Sequence, residues 1–358
     1  MFHLERDVLT NLKGPILITG HTGFKGTWLT LILEEMGCEI VGVSLEPERN
    51  SLFELGRRRG EVREHFLDIS NSEGLNQIFD QYKPSAVIHF AAQALVLESY
   101  KSPSTTFKTN VMGTVNVLDQ ALKTQSIKCV VVATTDKVYE NENLGVPFVE
   151  SDPLKGKDPY SASKVGTESA ISAWQQISKL QDGPKIVSVR SGNVVGGGDL
   201  SRDRLLPDFI RGVISKKPIQ IRNPESTRPW QHVLDPLNGY IKAMTSSIKG
   251  EAKSETYNFG PNGLGLTVGE VVQIAKDCWG DGAEIEIIPT DVSNASILES
   301  KYLSLNCELA KSDLAWEPKY SQSESIESTV KWWKAHSLHG ENPIALMRNE
   351  IKSFYERA

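Results

Sequence analysis

Residues 15–27 read Pro15-Ile16-Leu17-Ile18-Thr19-Gly20-His21-Thr22-Gly23-Phe24-Lys25-Gly26-Thr27, and their order sets the architecture of the whole chain. An apolar strand pattern runs directly into glycines spaced GxxGxxG, and a helical pattern opens at Thr27. Glycines 20 and 23 permit a tight turn that brings backbone N–H groups close to a pyrophosphate, and Gly26 lets the helix pack closely on the strand. A glycine-rich turn alone would say little, but a strand, turn and helix in this order predict a dinucleotide-binding loop.

Beyond this segment, apolar runs and helical patterns alternate along the chain. Strands are predicted at residues 15–19, 39–44, 65–67, 86–90, 129–134 and 186–190, and helices at residues 27–36, 71–81, 104–123 and 159–180. Such alternation is typical of the α/β class and predicts a Rossmann-type, doubly wound parallel sheet.

The pattern changes after Arg190, where loops rich in Gly, Asp and Pro begin. One helix and two strand-like pieces are predicted there, at residues 205–215, 219–222 and 257–259. We therefore expect a dinucleotide-binding domain and a smaller C-terminal substrate-binding lobe. The first comprises residues 1–192 with a returning segment at 232–262, and the second comprises residues 193–231 and 263–358.

The composition excludes some classes of function. The 358 residues are 39% apolar and carry a formal charge of −6, and their mean hydropathy is −0.29, which suits a soluble globular chain. An acidic chain with a pI near 5.8 argues against a surface that binds nucleic acid or another polyanion. The one basic run of note, Arg57-Arg58-Arg59, is interpreted as a solvated helix end.

The sequence also predicts a cellular compartment. The cysteines are far apart and form no CxxC pair, so we expect reduced thiols rather than a metal site or a disulfide framework; they are Cys38, Cys129, Cys278 and Cys307. Residues 1–13 carry charges and lack the apolar centre of a signal peptide, and no segment reaches the roughly 18 apolar residues of a membrane span. We therefore expect a cytoplasmic protein with no membrane partner.

The chemistry-bearing side chains lie in two segments, Thr134-Thr135-Asp136-Lys137 at a predicted strand end and Tyr160-Ser161-Ala162-Ser163-Lys164 on a predicted helix. Tyr160 and Lys164 share a helical face, so the ammonium is expected to lower the pKa of the phenol from about 10 toward neutrality. Such a phenol can take a proton from a hydroxyl while hydride leaves the same carbon. That oxidation needs neither Asp136 nor Lys137, so two more proton transfers are expected.

The end of the second predicted strand bears on the choice of dinucleotide. Ser44 stands where an acidic residue would bind the ribose hydroxyls of NAD. Glu46 could bind the ribose instead, whereas Ser44 together with Arg49 could accept the 2′-phosphate of NADP. Of these alternatives we favour NAD.

Longer strings of the sequence resemble one family. They are GHTGFKG (20–26), HFAAQ (89–93), TNVMGTVN (109–116), TTDKVY (134–139), DPYSASK (158–164), VRSGNVVGGGD (189–199), DRLLPD (203–208) and RPWQHVLDPL (228–237). Over residues 14–335 the chain resembles the extended short-chain dehydrogenase/reductases that act on nucleotide sugars. GxxGxxG and YxxxK mark only the superfamily, whereas TDK, GNVVGGGD and RPWQHVLDPL resemble its 4,6-dehydratase branch and imply CDP-glucose as the substrate.

The resemblance implies a role for each matching residue. Tyr160 would deprotonate the sugar 4-hydroxyl, with Thr135 bonded to the same oxygen and Lys164 holding the phenolate and the nicotinamide ribose. Asp136 would protonate the departing 6-hydroxyl once a base has removed the C5 proton, and hydride would return to C6, so that water is lost without net oxidation. The implied cofactor-binding residues are Gly20, Thr22, Gly23, Phe24, Gly26, Asp68, Ile69, Ala91, Ala92, Gln93, Asn110, Tyr160 and Lys164.

Asn110 and Lys137 each have alternative interpretations. Asn110 would place a backbone carbonyl and a water behind the lysine, or it is a polar residue inside a helix. Related dehydratases have a carboxylate at the position of Lys137. If Lys137 is the C5 base, its pKa of about 10.4 would have to fall by about three, which corresponds to roughly 4 kcal/mol. Burial beside Lys164 and the oxidised nicotinamide could lower this pKa, and Asp136 would oppose the change. Alternatively, Lys137 stays charged and stabilises the C4 enolate oxygen, or it is an ordinary surface lysine.

Substrate contacts are implied for Asn193, Arg204 and Arg228. An arginine suits a diphosphate because its planar fork makes charge-assisted, often bidentate hydrogen bonds. For Arg228 the alternative is a surface salt bridge. Trp230 and His232 are interpreted as core residues and are left out of the catalytic set.

Some positions depart from the family pattern. Leu97 stands where the family usually has an arginine, and Asn294-Ala295-Ser296 replaces a His-Glu-Ala triplet. Because a cation near the sugar or phosphates is missing, the reaction type is better supported than the exact sugar. An epimerase or decarboxylase on the same scaffold, which would not need Asp136, and a non-catalytic dinucleotide-binding protein are the alternative functions.

The resemblance also implies a homodimer and a place in deoxysugar biosynthesis, such as that of lipopolysaccharide O-antigen. The predicted helix at 159–180 carries a stripe of mostly small residues, Ala162, Val165, Ala170, Ala173 and Ile177. This stripe suits close helix packing across a dimer, although packing on the chain's own sheet explains it about as well.

Overall fold

A seven-stranded parallel sheet lies at the centre of the computed structural model, which describes residues 3–221, 223–287 and 302–357. The strands are β1 (Ile16–Thr19), β2 (Ile40–Ser44), β3 (Arg63–Phe66), β4 (Ala86–His89), β5 (Cys129–Ala133), β6 (Lys185–Ser191), β7 (Val194–Val195), β8 (Ile219–Ile221), β9 (Thr227–Arg228), β10 (Gln231–His232), β11 (Thr256–Phe259), β12 (Leu266–Thr267) and β13 (Ile285–Ile287). The order across the central sheet is β11-β6-β5-β4-β1-β2-β3, and every neighbouring pair is parallel. The chain winds outward from β1 in both directions, which confirms the predicted doubly wound α/β fold.

Helices cover both faces of this sheet. They are α1 (His3–Thr10), α2 (Phe24–Met36), α3 (Leu52–Leu55), α4 (Ser72–Tyr82), α5 (Val96–Lys101), α6 (Pro103–Phe107), α7 (Gly113–Lys123), α8 (Pro159–Leu180), α9 (Leu205–Ser215), α10 (Leu234–Lys249), α11 (Val268–Trp279), α12 (Glu308–Leu314), α13 (Gln322–His339) and α14 (Pro343–Glu356), with a π turn at Lys108–Met112 and a 3-10 turn at Asp136–Val138. Ile16 and Ile18 of β1 pack into one apolar cluster and Leu17 into another, as expected of a strand buried on both faces. Among the described residues, no helix has both the length and the apolar character that crossing a membrane requires.

The direction of winding switches between β1 and β4. From β1 the chain goes on to β2 and β3 on one side, then crosses to β4, β5 and β6 on the other. In open α/β sheets, ligands bind in the crevice beyond the carboxyl ends of the strands at such a switch point. The residues that follow Thr19, His89 and Ala133 therefore border a binding crevice.

Short strand pairs build the region after β6. β7 pairs with β10, β8 with β13 and β9 with β12, and α9 contacts α11 beside them. β11 adds residues 256–259 to the edge of the central sheet, next to β6. The strand predicted at 219–222 is observed as β8, and Arg222 lies outside the described residues.

The helix predicted at 104–123 is interrupted. α6 is followed by the π turn at Lys108–Met112 and then by α7. A π turn is often found at a functional site, where it accommodates an irregular contact. Here the middle residue, Asn110, bonds through its side chain to Gln93 on the loop after β4. This tertiary contact explains why a helical repeat alone does not predict the interruption.

The basic run at 57–59 is only partly solvated. Arg57 and Arg59 are exposed, but Arg58 is 3% exposed and forms an ion pair with Glu34 of α2. The prediction of a solvated helix end is therefore wrong for Arg58, because the carboxylate on the neighbouring helix gives the buried cation a partner.

Candidate active site

The glycine-rich loop closes tightly against the start of α2. Gly20 has a φ of 76°, a left-handed conformation that favours glycine. A Cβ at Gly26 would lie 2.1 Å from the Gly20 carbonyl oxygen, so a larger residue would push α2 away from the turn. The Gly23 N–H donates to that same oxygen over 3.1 Å, and α2 begins at Phe24. The loop therefore presents the N-terminus of a 13-residue helix to the crevice, which fits a pyrophosphate.

Residues after β2 bear on the choice of dinucleotide. Thr22 Oγ1 and Ser44 Oγ lie 2.7 Å apart and hydrogen bond to each other. Glu46 is exposed and forms an ion pair with Arg59 at 3.0 Å, and Arg49 is also exposed. An acidic group beside the strand end suits ribose hydroxyls better than a 2′-phosphate, which agrees with NAD.

The expected cofactor contacts after β3 and β4 border the same crevice. Asp68 is exposed and its Oδ1 accepts from the Ser70 N–H at 2.8 Å, while Ile69 is buried. The Ala91 N–H donates to Thr19 Oγ1 over 3.2 Å, and Ala92 is half-buried beside it. These loops therefore line the crevice on both sides of β1.

Asn110 joins the π turn to two neighbouring elements. Its Oδ1 accepts from the Gln93 N–H at 2.8 Å, and its Nδ2 donates to the Gln93 carbonyl at 3.0 Å and to Ser163 Oγ at 2.8 Å. Its own carbonyl accepts from the hydroxyls of Thr114 at 2.7 Å and Thr167 at 2.9 Å. Asn110 thus fixes the loop after β4 to α8, which carries the reactive tyrosine and lysine.

Tyr160 and Lys164 lie on the first two turns of α8. The helix starts at a capping box in which Asp158 and Ser161 exchange side chain and backbone hydrogen bonds. Lys164 Nζ donates to the carbonyl oxygen of Ala133, at the end of β5, over 3.2 Å. Burial lowers the pKa of Lys164 to about 8. The helix therefore holds both side chains against the carboxyl end of the central strand.

The pKa of Tyr160 moves in the direction opposite to the sequence expectation. Burial raises it to about 12, and the hydrogen bond with Thr135 offsets only part of that rise. The charge of Arg204 also lowers this pKa in part, whereas the charges of Asp136 and Asp158 raise it further. The prediction of a phenol near neutrality is therefore wrong for the protein alone. A cation bound beside the phenol would be needed to lower its pKa.

Asp136 is a buried carboxyl group with one unpartnered oxygen. It is 1% exposed, and its Oδ1 accepts from Thr135 Oγ1 at 3.0 Å, whereas Oδ2 finds no hydrogen-bond partner in the described part of the chain. Burial raises the pKa of this carboxyl, and Lys137, Thr135 and Arg228 offset part of the rise. A Cβ at Gly192 would lie 2.7 Å from Oδ2, so the glycine leaves room at that oxygen. Asp136 is therefore suited to give a proton to a ligand.

Lys137 follows Asp136 on the 3-10 turn. It is half-buried, and its N–H donates to Thr135 Oγ1 over 3.3 Å. Its charge lowers the pKa of the adjacent Asp136 carboxyl.

Lys25 is a functional candidate that the sequence motifs do not assign. Its Nζ lies 5.8 Å from the centre of the Phe90 ring and 5.7 Å from that of Tyr240. Burial lowers the pKa of Lys25 to about 7, and the charges of Arg204 and Lys164 add to this effect. The one signal in the sequence is a lysine between Phe24 and Gly26, in a loop whose other residues are uncharged at neutral pH.

The three expected substrate contacts have different surroundings. Arg228 is 6% exposed and its charge acts on Asp136, so it is not a surface salt bridge. Arg204 is half-buried, pairs with Asp199 at 3.2 Å and acts electrostatically on the Tyr160 phenol. Asn193 is half-buried between β6 and β7. The two arginines therefore approach the same reactive groups from the lobe after β6.

Trp230 and His232 lie in the core. Both are buried, and His232 Nε2 is 3.1 Å from Glu350 Oε1 while its ring stacks on Tyr320 at 4.4 Å. Leu97 is half-buried in α5. The triplet Asn294-Ala295-Ser296, which differs from the family pattern, lies outside the described residues.

Sequence motifs also miss a second buried polar group, which we call the paired cluster: Thr134, Tyr139, Glu168, Ser188 and Arg190. Arg190 Nε and Nη2 donate to the two carboxylate oxygens of Glu168, each at 2.9 Å. Ser188 Oγ donates to Glu168 Oε1 at 2.7 Å, the Thr134 hydroxyl donates to it as well, and Arg190 Nη1 donates to the Tyr139 hydroxyl at 2.9 Å. These contacts join α8 to β5 and β6 directly behind the site.

Four titratable groups act electrostatically on one another, and we call them the reactive cluster: Lys25, Asp136, Tyr160 and Lys164. They combine a carboxyl with a raised pKa, a phenol with a raised pKa and two amines with lowered pKa values. Such shifts are typical of sites that move protons. The arrangement suits several proton transfers on one hydroxyl-bearing ligand beside a dinucleotide.

Known proteins resemble the chain over most of its length. A family model, described as the NAD dependent epimerase/dehydratase family, matches residues 16–260. A CDP-glucose 4,6-dehydratase of Salmonella typhimurium is 41% identical over 347 residues, which cover 95% of this chain and 95% of the relative. A UDP-glucose 4-epimerase of Halalkalibacterium halodurans is 28% identical over 345 residues, which cover 91% of this chain and 97% of the relative.

A solved structure shares the fold. The UDP-glucose 4-epimerase of Thermus thermophilus in complex with NAD superposes with a TM-score of 0.77 at 24% identity. The match covers 89% of this chain and 99% of that chain. It agrees with the sheet order and helix layers described above.

Proposed function

This chain belongs to the NAD dependent epimerase/dehydratase family, and we propose that it is a nucleotide-sugar 4,6-dehydratase that converts CDP-glucose to CDP-4-keto-6-deoxyglucose and water. The family membership confirms the resemblance on which the sequence hypothesis was based. The substrate follows from the 41% identical relative, which is a CDP-glucose 4,6-dehydratase.

Asp136 carries this proposal. A 4-epimerase works at C4 and needs no proton donor at C6, whereas a dehydratase has to protonate the departing 6-hydroxyl. Asp136 has a raised pKa and an unpartnered Oδ2 facing the room at Gly192, which is what a general acid requires. An acid in this position favours dehydration over epimerisation.

NAD is the cofactor, and the crevice fits it. The Gly20 turn and the N-terminus of α2 suit the pyrophosphate, and Glu46 suits the ribose. When bound, NAD would supply hydride chemistry, taking the hydrogen from C4 and giving it back at C6, so that the sugar would undergo no net oxidation. The residues that would hold it are Gly20, Thr22, Gly23, Phe24, Gly26, Asp68, Ile69, Ala91, Ala92, Gln93, Asn110, Tyr160 and Lys164.

Tyr160 is the base for the sugar 4-hydroxyl. Burial holds its pKa at about 12 in the protein alone, so the phenol becomes a base only when positive charge lies beside it. The charge of Arg204 already lowers the pKa of the phenol in part, and an oxidised nicotinamide would add further positive charge beside it. Oxidation is therefore confined to the loaded site.

Thr135 connects the two proton carriers. Its Oγ1 hydrogen bonds to the Tyr160 phenol and to Asp136 Oδ1. A proton that Tyr160 takes from the 4-hydroxyl can therefore pass through Thr135 to Asp136. Asp136 then gives a proton to the departing 6-hydroxyl, which leaves as water. This path restores the starting protonation states of Tyr160 and Asp136 at the end of each turnover.

Lys137 stands beside the general acid in one of two roles. It removes the C5 proton, or it stays charged and stabilises the enolate oxygen at C4. Arg204 and Arg228 would hold the diphosphate, with Asn193 at the edge of the sugar. The 4-keto-6-deoxy product would enter deoxysugar biosynthesis in the cytoplasm, for example toward lipopolysaccharide O-antigen.

Incubation with NAD and, separately, with CDP-, dTDP-, GDP- and UDP-glucose tests the proposal. We expect CDP-glucose to give a 4-keto-6-deoxy product that absorbs in alkali, and Tyr160→Phe to serve as an inactive control. A 4-epimer as the product would show an epimerase instead. No turnover of any nucleotide sugar would show a non-catalytic protein.

We also propose a homodimer through the surface of α5 to α8. The stripe on α8 is half-buried or exposed, although Val165 also packs against the chain's own core. On the adjoining helices Tyr100, Phe107 and Met112 are 41%, 41% and 51% exposed, and clustered apolar side chains favour a partner. We expect the dimer mass in sedimentation and a monomer for Met112→Glu, with Leu338→Glu on α13, which is 57% exposed, as a matched control. A monomer for the parent at micromolar concentration would contradict this.

A further inference from the structure

We propose that Arg59 is a latent contact for a 2′-phosphate, which Glu46 keeps neutralised so that the chain selects NAD over NADP. The two side chains form an ion pair with 3.0 Å between Arg59 Nη2 and Glu46 Oε2. The inference rests on the ribose contact that the proposed function gives to Glu46, and it does not depend on which sugar nucleotide the protein converts.

Glu46 lies beside the dinucleotide turn. It follows Ser44, the last residue of β2, whose hydroxyl bonds to that of Thr22 in the turn over 2.7 Å. The Thr22 hydroxyl also lies 3.3 Å from the carbonyl oxygen of Leu45, the residue directly before Glu46. In Rossmann folds, an acid near the end of the second strand binds the ribose hydroxyls of NAD, whereas an arginine there accommodates the 2′-phosphate of NADP. This chain places both kinds of side chain together.

Three contacts hold the Arg59 guanidinium at these strand ends. Its Nη2 donates to Glu46 Oε2 over 3.0 Å, and its Nε donates to Glu54 Oε1 over 2.8 Å. Its Cζ lies 5.2 Å from the centre of the Phe66 ring. Phe66 ends β3 and is the register partner of Ser44. The guanidinium therefore lies beside the carboxyl ends of β2 and β3, next to the carboxylate that is expected to meet the ribose.

The ion pair is accessible to a ligand. The Arg59 side chain is 48% exposed and that of Glu46 is 64% exposed. An ion pair at this exposure contributes little to stability, so a ligand or a substitution can separate it without unfolding the chain. Arg58, one residue earlier, is instead buried and paired with Glu34, so it is not available to a ligand.

The guanidinium has one edge that is fixed and one that a ligand can take. Glu54 and the Phe66 ring orient Arg59, whereas among the described residues Glu46 is the one partner of Nη2. Without the Glu46 carboxylate, Nη2 would be an oriented, charged donor for a phosphate oxygen. With it, Nη2 is occupied, and the carboxylate repels a second negative group. One carboxylate therefore favours NAD and disfavours NADP.

Arg49 is a second cation that follows β2. It is exposed, and it has no hydrogen bond or ion pair to any residue that the structure describes. Ordering its long side chain around a phosphate would cost conformational entropy. Arg59 is already oriented by Glu54 and Phe66, so it is better placed than Arg49 to hold a phosphate.

Binding titrations of the purified protein, freed of bound dinucleotide, test the inference. NADH and NADPH are titrated separately, and the fluorescence of the reduced nicotinamide gives each affinity. For Glu46→Ser we expect weaker binding of NADH and tighter binding of NADPH, so that the ratio of the two affinities shifts by roughly 10- to 100-fold. The gain for NADPH should shrink as salt is added, because the guanidinium is exposed.

Two double variants identify the cation. Adding Arg59→Met to Glu46→Ser should return NADPH binding to the level of the parent, whereas adding Arg49→Met should leave the gain in place. The matched control is Glu39→Ser, which removes an exposed carboxylate paired with Arg63 at 3.6 Å, just before the start of β2 and so at the opposite end of that strand. It should leave both affinities unchanged.

Other results would overturn the inference. An NADPH affinity of Glu46→Ser equal to that of the parent would show that Glu46 and Arg59 form a surface ion pair only. Retention of the gain without Arg59, or its loss without Arg49, would show that the phosphate contact lies elsewhere. A parent that binds NADPH as tightly as NADH would show that Glu46 does not select NAD. Because the titrations contain no sugar nucleotide, a parent that fails to dehydrate CDP-glucose would contradict the proposed function without changing their outcome.

Discussion

Two groups of mostly buried polar side chains meet at α8 and differ in how many hydrogen-bond partners they have. In the paired cluster, Glu168 and Arg190 share two hydrogen bonds and have further hydroxyl partners. In the reactive cluster, one turn earlier, Asp136 Oδ2 and Lys25 Nζ have no hydrogen-bond partner among the described residues. Glu168 and Asp136 are therefore both buried carboxyl groups, but only Glu168 has hydrogen-bond partners for both of its oxygens.

The difference appears in the direction of each pKa. Burial would raise the pKa of Glu168, but Arg190, Thr134 and Ser188 more than offset it and hold the carboxylate charged. Burial raises the pKa of Asp136 and lowers that of Lys25, because their partners are too few to offset it. Pairing fixes a charge in place, whereas its absence keeps a proton available for transfer.

The largest effect is expected for Asp136→Asn, in the reactive cluster. Dehydration should fall by roughly 10²–10⁴-fold, because an amide has no acidic proton for the departing hydroxyl. The midpoint of urea unfolding should stay the same or rise, since a buried group with few partners contributes little to stability. Parent-like dehydration would show that Asp136 is not the acid.

A loss of stability rather than of chemistry is expected for Arg190→Met, in the paired cluster. The free energy of unfolding should fall by about 3–5 kcal/mol, because Glu168 is left as a buried charge without its partner. The control is the double variant Glu168→Met, Arg190→Met, which should recover most of that loss in urea unfolding. A single variant as stable as the parent would show that the pair is not structural.

The same pair gives an expected dependence on pH. Glu168 has a pKa below its ordinary 4.5, so its contribution to stability is fully present above about pH 4.5 and is lost as pH falls through the folded-state pKa. Thermal unfolding of the parent should show this loss when it is measured from about pH 6 down to about pH 3, the range in which carboxyl groups titrate. The double variant should lack that part of the decline.

The smallest effect is expected for Tyr139→Phe, at the edge of the paired cluster. The Tyr139 hydroxyl donates to Asn258 Oδ1 at 2.7 Å and accepts from Arg190 Nη1 at 2.9 Å. Because Arg190 keeps both bonds to Glu168, the loss in unfolding free energy should be only about 1 kcal/mol. A loss as large as that of Arg190→Met would mean that the hydroxyl, rather than the ion pair, holds the cluster together.

The fold could be predicted because its signals are local in the chain. The glycine spacing at 20–26 and the alternating strand and helix patterns need no tertiary information. The family hypothesis, confirmed by the comparisons, likewise rests on contiguous strings such as those around Asp136 and Tyr160. The burial of Arg58 could not be predicted, because Glu34 approaches it from another helix.

The electrostatics of the site could not be predicted from spacing. The shared face of Tyr160 and Lys164 does not show that Lys164 turns toward the Ala133 carbonyl, nor that burial dominates the phenol. Lys25 is visible in the glycine-rich string, but only its position beside Phe90 and Tyr240 makes it a candidate. Charges set by distant contacts require the structure.

The π turn at Lys108–Met112 makes the site sensitive to the number of residues in one helix. A single-residue deletion there would be expected to leave an ordinary α-helix, in which one side is rotated by about 100° relative to the other. Asn110 would then lose its bonds to Gln93 and Ser163, although every named side chain of the crevice is still present. Deleting one residue from this segment would therefore damage the active site more than most single substitutions would.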